Sequence, residues 1–344
     1  MACTDYTGDL YIEITDNCNL LCKHCYNNSC VKKENTYLSK TAFKTIIENA
    51  SHCGINSIAI SGGEPLLNPD LLDILRLIDR KGFLCRIITN GTLVDYSFLH
   101  KMPHNISFQI SLNGSCAETH EQLTNVSGSF IATCAAIDKL TEVGIPFSIK
   151  TIISPYNYSD LQNLVDFAIV HKAKGISFSF LQPFGRALNN QDLFLQSPTL
   201  VQLYLDILLP MFEKYRGFVS GPKIQNTRCP LLCANDTDEK KFKVSPRIDV
   251  YGYVYPCAMF VSKRFSLGNI LQHSFDDIFS SKSFSELVQY MYLREKYVVD
   301  CLNCFVSSKC GRGCPASSLE TDVIKPNFYC KMVKWKMMSD ALKD

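Results

Sequence analysis

An α/β fold built on a parallel sheet is what the sequence predicts. Three observations predict it: a strand–helix alternation repeated six times, cap residues and glycines where helices should start and stop, and a change of rhythm into a cysteine-rich tail. The alternation runs from residue 10 to about 216 of 344. Runs at 10–14, 57–61, 84–89, 105–111, 146–153 and 176–181 have the short β-rich pattern of strands. Between them, 39–53, 69–81, 95–101, 128–143 and 158–171 carry helical spacing, and a last helix is expected over 198–216. Ser39 and Asn68 stand where N-caps belong, and Gly54, Gly82 and Gly144 where C′ glycines end helices. Six such units in a row imply parallel strands with helical crossovers, either a partial barrel or a doubly wound sheet.

After Gly217 the rhythm changes. "GPKIQNTRCP" (221–230) reads as a linker, and "RIDVYGYVYPC" (247–257) as a hairpin turning at Tyr251-Gly252. Two short helices are expected near 274–280 and 283–295, leading into "CLNCFVSSKCGRGCP" (301–315). The boundary is placed near 218, so that 1–218 form the α/β domain and 219–344 a second, cysteine-rich domain.

The chain is long enough to bury a core without covalent staples. A formal net charge of +2 with 20% charged residues argues against a nucleic-acid binder and gives no polybasic membrane signal. The start "MACTDYTGDL" lacks the basic and apolar segments of a signal peptide. No stretch approaches the roughly 20 uninterrupted apolar residues of a membrane span. A cytoplasmic location is expected, with neither nucleic acid nor membrane as a partner. The 17 cysteines are then the anomaly. Disulfides are disfavoured in a reducing compartment, so metal ligation or redox chemistry is the expected use.

Their spacing is informative. With 17 cysteines in 344 residues, chance places a CxxxCxxC somewhere with probability ~0.04, and a Cx2Cx5Cx3C with probability ~0.002. The first pattern is Cys18, Cys22 and Cys25, directly after the first strand; the second is Cys301, Cys304, Cys310 and Cys314. Three thiolates on a four-iron cube leave one iron with an open position, and an open site is where a substrate or cofactor binds. The plainer alternative is a structural zinc loop with His24 as fourth ligand. Next, "SIAISGGEP" puts Gly62, Gly63, Glu64 and Pro65 at the C-terminal end of the second strand. Two glycines let the backbone approach a ligand closely, at the edge where parallel-sheet enzymes build their sites.

CxxxCxxC after strand one and GGEP after strand two resemble the radical S-adenosylmethionine (SAM) enzymes, and the C-terminal cysteines resemble their SPASM extension. The resemblance runs from Tyr11 to Cys330. It implies a partial (β/α)6 TIM-like barrel with a C-terminal cysteine-rich SPASM domain. It also implies SAM and three 4Fe-4S clusters, one SAM-binding and two auxiliary. In that family the open iron is chelated by the amino and carboxylate groups of SAM. One electron then cleaves the sulfonium, and the 5′-deoxyadenosyl radical removes a hydrogen atom from an unactivated C–H bond.

Carried over by position, Cys18, Cys22 and Cys25 would bind the SAM-cleaving cluster, and His24 would lie against adenine. Gly62, Gly63, Glu64 and Pro65 would hold the methionine amino group. Asn90, in "TNG", ends strand three. Ser111 would contact methionine or ribose, and Leu181, in "LQPFGRA", would contact adenine through its backbone. One auxiliary cluster would use Cys229, Cys233, Cys257 and Cys314; the other Cys301, Cys304, Cys310 and Cys330. The long gap between Cys233 and Gly252 leaves room for three protein ligands on the first. Related enzymes often carry "hDxxR" after the fourth strand, with its arginine on the SAM carboxylate. Here "HEQLT" puts Thr124 at that position, and Lys150 is a substitute cation or a surface lysine. Of the remaining thiols, Cys53, Cys85 and Cys134 read as packed apolar groups, while Cys30 and Cys116 fall on loops at the expected active-site face.

Three readings of function follow. The first is a maturase of a ribosomally made precursor peptide: cross-linking, thioether formation, epimerisation or excision. The second is the same chemistry on a small molecule, such as dehydrogenation or epimerisation of an aminosugar. The third is a metal-stabilised interaction protein, which leaves GGEP without a purpose. Two auxiliary clusters favour the first. The first strand begins at residue 10, so a separate recognition protein, or the SPASM face itself, is expected to bind the leader. An aspartate follows the cysteine equivalent to Cys257 in anaerobic sulfatase maturases; Ala258 counts against that subgroup. A flavodoxin or ferredoxin is the expected reductant.

Overall fold

The computed structural model describes residues 4–31, 36–222, 229, 242–304, 314, 316, 330 and 334. Strand β1 (Thr4–Tyr6) is followed by six strands that make the wall of the fold: β2 (Leu10–Glu13), β3 (Ser57–Ser61), β4 (Leu84–Thr89), β5 (Ile106–Ser111), β6 (Phe147–Ile153) and β7 (Ile176–Phe180). Each pairs in parallel with the next. The wall is open. Its β7 edge continues into β8 (Val219–Ser220), and its β2 edge is taken by β10 (Arg247–Ile248), so β7 and β2 do not meet. This is the partial (β/α)6 arrangement rather than a doubly wound sheet.

Helices α1 (Lys40–His52), α2 (Leu71–Arg80), α3 (Tyr96–Lys101), α4 (Ala117–Thr124), α5 (Ser129–Val143) and α6 (Leu161–Val170) fill the crossovers. In α1 the buried Phe43, Ile46, Ile47 and Ala50 recur at helical spacing, and Ser39 caps its first turn by accepting from the Ala42 N–H. Gly144 ends α5 with φ of +77°. Burial alternates with period two along β5, β6 and β7. Ile106, Phe108 and Ile110 face the helices, while Ser107, Gln109 and Ser111 face the concave inner side. The outer layer is therefore the apolar core, and the inner face is a polar lumen.

Three expectations are corrected. Asn68 does not cap the second helix, which starts behind Asp70. Instead its buried amide donates to the carbonyls of Ile14 and Leu38 (2.7 and 3.3 Å) and its Oδ1 accepts from the Asp70 N–H. Helix α4 was not expected. The helix expected over 198–216 comes in three segments: α7 (Ser197–Gln202), a wide π-helical stretch (Leu203–Leu208) and α8 (Leu209–Lys214). Pro210 in its middle has no N–H to give the preceding turn, and its ring crowds that turn's carbonyl. The run Gln191–Lys214 has the length and mean hydropathy (1.2) of a membrane span. Its Leu200, Leu203, Tyr204, Leu208 and Met211 pack into the core of the barrel.

The chain beyond 241 forms a separate two-stranded sheet with β1 and then extends the large sheet at its β2 edge. Strand β9 (Phe242–Val244) pairs in parallel with β1. The expected hairpin is β10 with β11 (Tyr253–Tyr255), turning over Asp249–Gly252, and β12 (Gly268–Asn269) closes that edge. Helices α9 (Phe275–Phe279), α10 (Lys282–Tyr297) and α11 (Val299–Leu302) follow. Ser274 and Asp277 form a reciprocal cap at the start of α9.

Candidate active site

The loop after β2 carries Cys18, Cys22 and Cys25, and every neighbouring strand end holds it. The Gly63 and Glu64 N–H groups donate to the carbonyls of Thr15 and Asn17 (2.7 and 2.8 Å). A Cβ on either glycine of the pair would strike that backbone: the Thr15 carbonyl at Gly62, the Asn17 carbonyl at Gly63. Two glycines are thus required for two strand ends to meet. The Cys18 N–H donates to the Cys30 carbonyl (3.2 Å), and the Lys23 N–H to the Leu123 carbonyl at the end of α4 (2.9 Å).

Glu64 is buried and locks β3 to β4. Its carboxylate accepts from Thr89 Oγ1 (2.6 Å) and the N–H groups of Asn90 (2.9 Å) and Leu66 (3.1 Å). Burial raises its pKa against the pull of those donors. Asn90 in turn donates to Asn19 Oδ1 (3.0 Å), inside the cysteine loop.

The opposite side is braced from the end of β7. The Arg186 guanidinium donates through Nε to the Cys22 carbonyl (2.7 Å) and through Nη1 to the Ser29 carbonyl (2.8 Å), and its own N–H donates to the Cys25 carbonyl (2.9 Å). Gly185, at φ of +52°, lies so close to the carbonyls of Cys25 and Tyr26 that a side chain would collide with both. Arg186 was not singled out from the sequence; the "PFGRA" turn carried the only signal.

From below, Tyr26 donates to Glu13 Oε1 (3.0 Å). Glu13 is paired with Arg247 of β10 through two parallel bonds of 2.8 Å, both side chains within a few per cent of full burial. Arg247 also donates to the Phe260 carbonyl (2.9 Å) and stacks on the Tyr255 ring at 4.6 Å.

The thiols are poor acids without a metal. Burial pushes Cys18 up to about 12 and Cys22 higher still; the neighbouring thiols add to this, and Arg186 opposes it. Such a set becomes thiolate when cations hold it. Among the described residues no three His, Cys, Asp or Glu side chains converge as on a single ion. Cys18, Cys22 and Cys25 lie close enough to act on one another electrostatically, and three such thiols are a donor set that an iron–sulfur cluster takes. Among the described residues, buried atoms without a partner include Ser29 Oγ in the loop and two further groups, His24 Nδ1 and, beside Leu181, Gln182 Oε1. An incoming polar ligand would satisfy these two groups. Burial also drives His24 down to about 4.

Ser111 ends β5, in register with Lys150 and Ser177, and the buried Leu181 follows β7 at the C-terminal edge of the sheet. A second group of thiols forms where Cys257 meets Cys314 and Cys229; burial, then these two neighbours, push Cys257 up to about 12. Cys301, Cys304 and Cys330 are partly buried. Cys233 and Cys310 lie outside the described residues. Of the spare thiols, Cys85 is buried, Cys53 and Cys134 are partly so, and Cys116 is exposed at the start of α4.

Comparison with known families matches residues 12–168 to the Radical SAM superfamily and 243–305 to SPASM, an iron-sulfur cluster-binding domain. The antilisterial bacteriocin subtilosin biosynthesis protein AlbA of Bacillus subtilis (strain 168) is 26% identical over 338 residues, 96% of this chain and 72% of that protein. The AdoMet-dependent heme synthase of Methanosarcina barkeri (strain Fusaro / DSM 804) is 31% identical over 176 residues; the match spans half of each protein (51% and 50%). Among solved structures, Streptococcus suis SuiB bound to precursor peptide SuiA superposes with a TM-score of 0.72 at 17% identity, covering 96% of this chain and 76% of that one.

Proposed function

The chain belongs to the radical SAM superfamily and carries a SPASM domain, and from that premise we propose that it modifies a ribosomally made precursor peptide. Radical SAM enzymes with this domain work with 4Fe-4S clusters and SAM. The reading assigns Cys18, Cys22 and Cys25 to the SAM-cleaving cluster. It assigns Cys229, Cys257 and Cys314, with Cys233, to one auxiliary cluster, and Cys301, Cys304, Cys310 and Cys330 to the other. The division near residue 218 separates the part that cleaves SAM from the part that carries the auxiliary clusters. Held by Cys18, Cys22 and Cys25, a reduced cluster would supply the single electron for SAM cleavage, and SAM the group that abstracts hydrogen from the substrate.

The protein's own share is positional. Glu64, Arg186, Lys23 and the Gly62–Gly63 contact fix the cysteine loop to three strand ends and α4. The GGEP turn has spent the N–H groups of Gly63 and Glu64 on that task, so carbonyl oxygen is what it has for an amino group. His24 and Gln182 have unspent atoms for adenine or ribose. Glu13 and Arg247 hold the SPASM hairpin to β2 with Cys257 two residues past β11, which fixes the separation of the two cysteine sets.

The observation that carries the peptide reading is the match along 96% of the chain to a bacteriocin biosynthesis protein; the shared fold with a peptide-bound protein supports it. The match to a heme synthase over half the chain supports the alternative, a small-molecule substrate. The test is anaerobic incubation with SAM, a reductant and any short peptide found encoded beside the gene. Peptide mass or stereochemistry changing in step with 5′-deoxyadenosine release supports the peptide reading. No peptide change, with release stimulated instead by an aminosugar or a porphyrin, supports the alternative.

A further inference from the structure

Helix α4 carries a buried donor that the chain leaves without an acceptor. His120 is 1% exposed and lies one turn before Leu123 on the buried face of the helix. Its Nδ1 accepts from the Asn113 N–H (3.1 Å), two residues past the end of β5, which sets the ring at the strand ends. A neutral imidazole that accepts at Nδ1 carries its hydrogen on Nε2. Among the described residues that Nε2 is buried without a partner.

His24 meets it from the cysteine loop. The Lys23 N–H donates to the Leu123 carbonyl (2.9 Å), so the residue before His24 is tied to the turn of α4 that follows His120. His120, second only to burial, adds to the lowering of His24, so the two imidazoles are neighbours. His24 Nδ1 is likewise buried and unpartnered. Two orphaned nitrogens on neighbouring rings, one of them a fixed donor, mark a place for a group that neither ring supplies.

The donor set defines that group. It must accept from His120 Nε2–H and also satisfy His24 Nδ1, whether that nitrogen carries a hydrogen or a lone pair. A hydroxyl meets both demands, with two lone pairs and one hydrogen. A ring nitrogen of adenine has a single lone pair and no hydrogen, its exocyclic amine only donates, and a carboxylate has no hydrogen to give. Within SAM, hydroxyls occur only on the ribose.

We propose that His120 and His24 together hold one hydroxyl of the SAM ribose. The proposal rests on the radical SAM reading and adds to it a side chain, His120, to which the resemblance gives no part. One such hydrogen bond is worth about three- to tenfold in affinity.

The probe is S-adenosylhomocysteine, which keeps the ribose, with its 2′-deoxy and 3′-deoxy forms. Calorimetry on the full, iron-loaded chain without reductant reads binding alone. Wild-type protein should bind one of the two deoxy forms about three- to tenfold more weakly than the parent. His120→Asn keeps an acceptor for the Asn113 N–H but has no donor in the place of Nε2. It should lose a similar factor on the parent and no longer tell that deoxy form from it. His120→Gln loses the acceptor and keeps an N–H in the place of Nε2, so it should retain most of the discrimination. His24→Phe should erase it, which keeps the test open if His120→Asn does not fold. Wild type that binds the parent and both deoxy forms alike overturns the proposal, as does His120→Asn or His24→Phe protein that discriminates as wild type does. Wild type that binds no S-adenosylhomocysteine at all overturns the radical SAM reading, and the proposal with it.

Discussion

Replacing Glu13 by glutamine removes one charge from a pair that water does not reach. The Glu13 and Arg247 side chains are 3% and 2% exposed and share two bonds of 2.8 Å. The amide introduced at this position would turn a donor toward the guanidinium and leave Arg247 charged, buried and uncompensated. Breaking a buried pair in this way costs about 3–5 kcal/mol. Unfolding entropy near 2.1 cal/mol/K per residue gives about 0.7 kcal/mol/K for 344 residues, so Glu13→Gln should lower Tm by about 4–7 °C. Calorimetry under anaerobic conditions is the assay. Glu13→Leu with Arg247→Met leaves no buried charge and should recover most of the loss. Since Tyr26, next to Cys25, donates to Glu13, the single variant should also lose iron faster to a chelator. A Glu13→Gln protein melting within about 1 °C of wild type would refute the reasoning, because an ion pair so nearly dry cannot be broken without cost.

Three further outcomes are expected. Cys18→Ala, Cys22→Ala and Cys25→Ala should each abolish 5′-deoxyadenosine formation, while Cys304→Ala should reduce turnover on substrate more than uncoupled SAM cleavage; equal losses in both sets would contradict the assigned division of labour. Arg186→Lys keeps the charge but cannot reach the carbonyls of Cys22 and Ser29 together, so chelators should strip its iron about tenfold faster at unchanged pH. The third concerns pH. Burial lowers His120 from 6.5 to about 4, and its Nδ1 accepts from the Asn113 N–H. The native state keeps it neutral while the unfolded chain takes up a proton near 6.5, so its contribution is fully present above about pH 7. That contribution is lost as pH falls from 6.5 toward about 4, to about 3 kcal/mol. His120→Gln should flatten that part of an acid unfolding curve.

The strands were legible because each is short, β-rich and closed by a turn signal, and their bounds fall within a residue of those expected. The cysteine spacings were legible for a similar reason: local separation decides which thiols can share a cluster. Helix α4 was not, since "AETHEQLT" has one large aliphatic residue, Leu123, and buries His120 and Thr124 beside it; a mostly polar buried face leaves no apolar period to read. The Glu13–Arg247 pair joins residues 234 apart, a separation at which sequence spacing says nothing. The roles of Asn68 and Arg186 were hidden for the same physical reason. Both satisfy carbonyls of loops distant in sequence, and a carbonyl has no residue type to recognise. Lys150 was visible as a cation on a strand, but its place in the lumen follows only from the register of β5, β6 and β7.

The central claim is that Cys18, Cys22 and Cys25 hold a cluster that cleaves SAM, and 5′-deoxyadenosine release tests it most directly. Anaerobically reconstituted protein with SAM and a strong reductant, with and without any neighbouring peptide, should release it, and Cys22→Ala protein should release none. Iron-loaded wild type that forms no 5′-deoxyadenosine in either condition would contradict the account and leave the three cysteines as ligands of a structural metal.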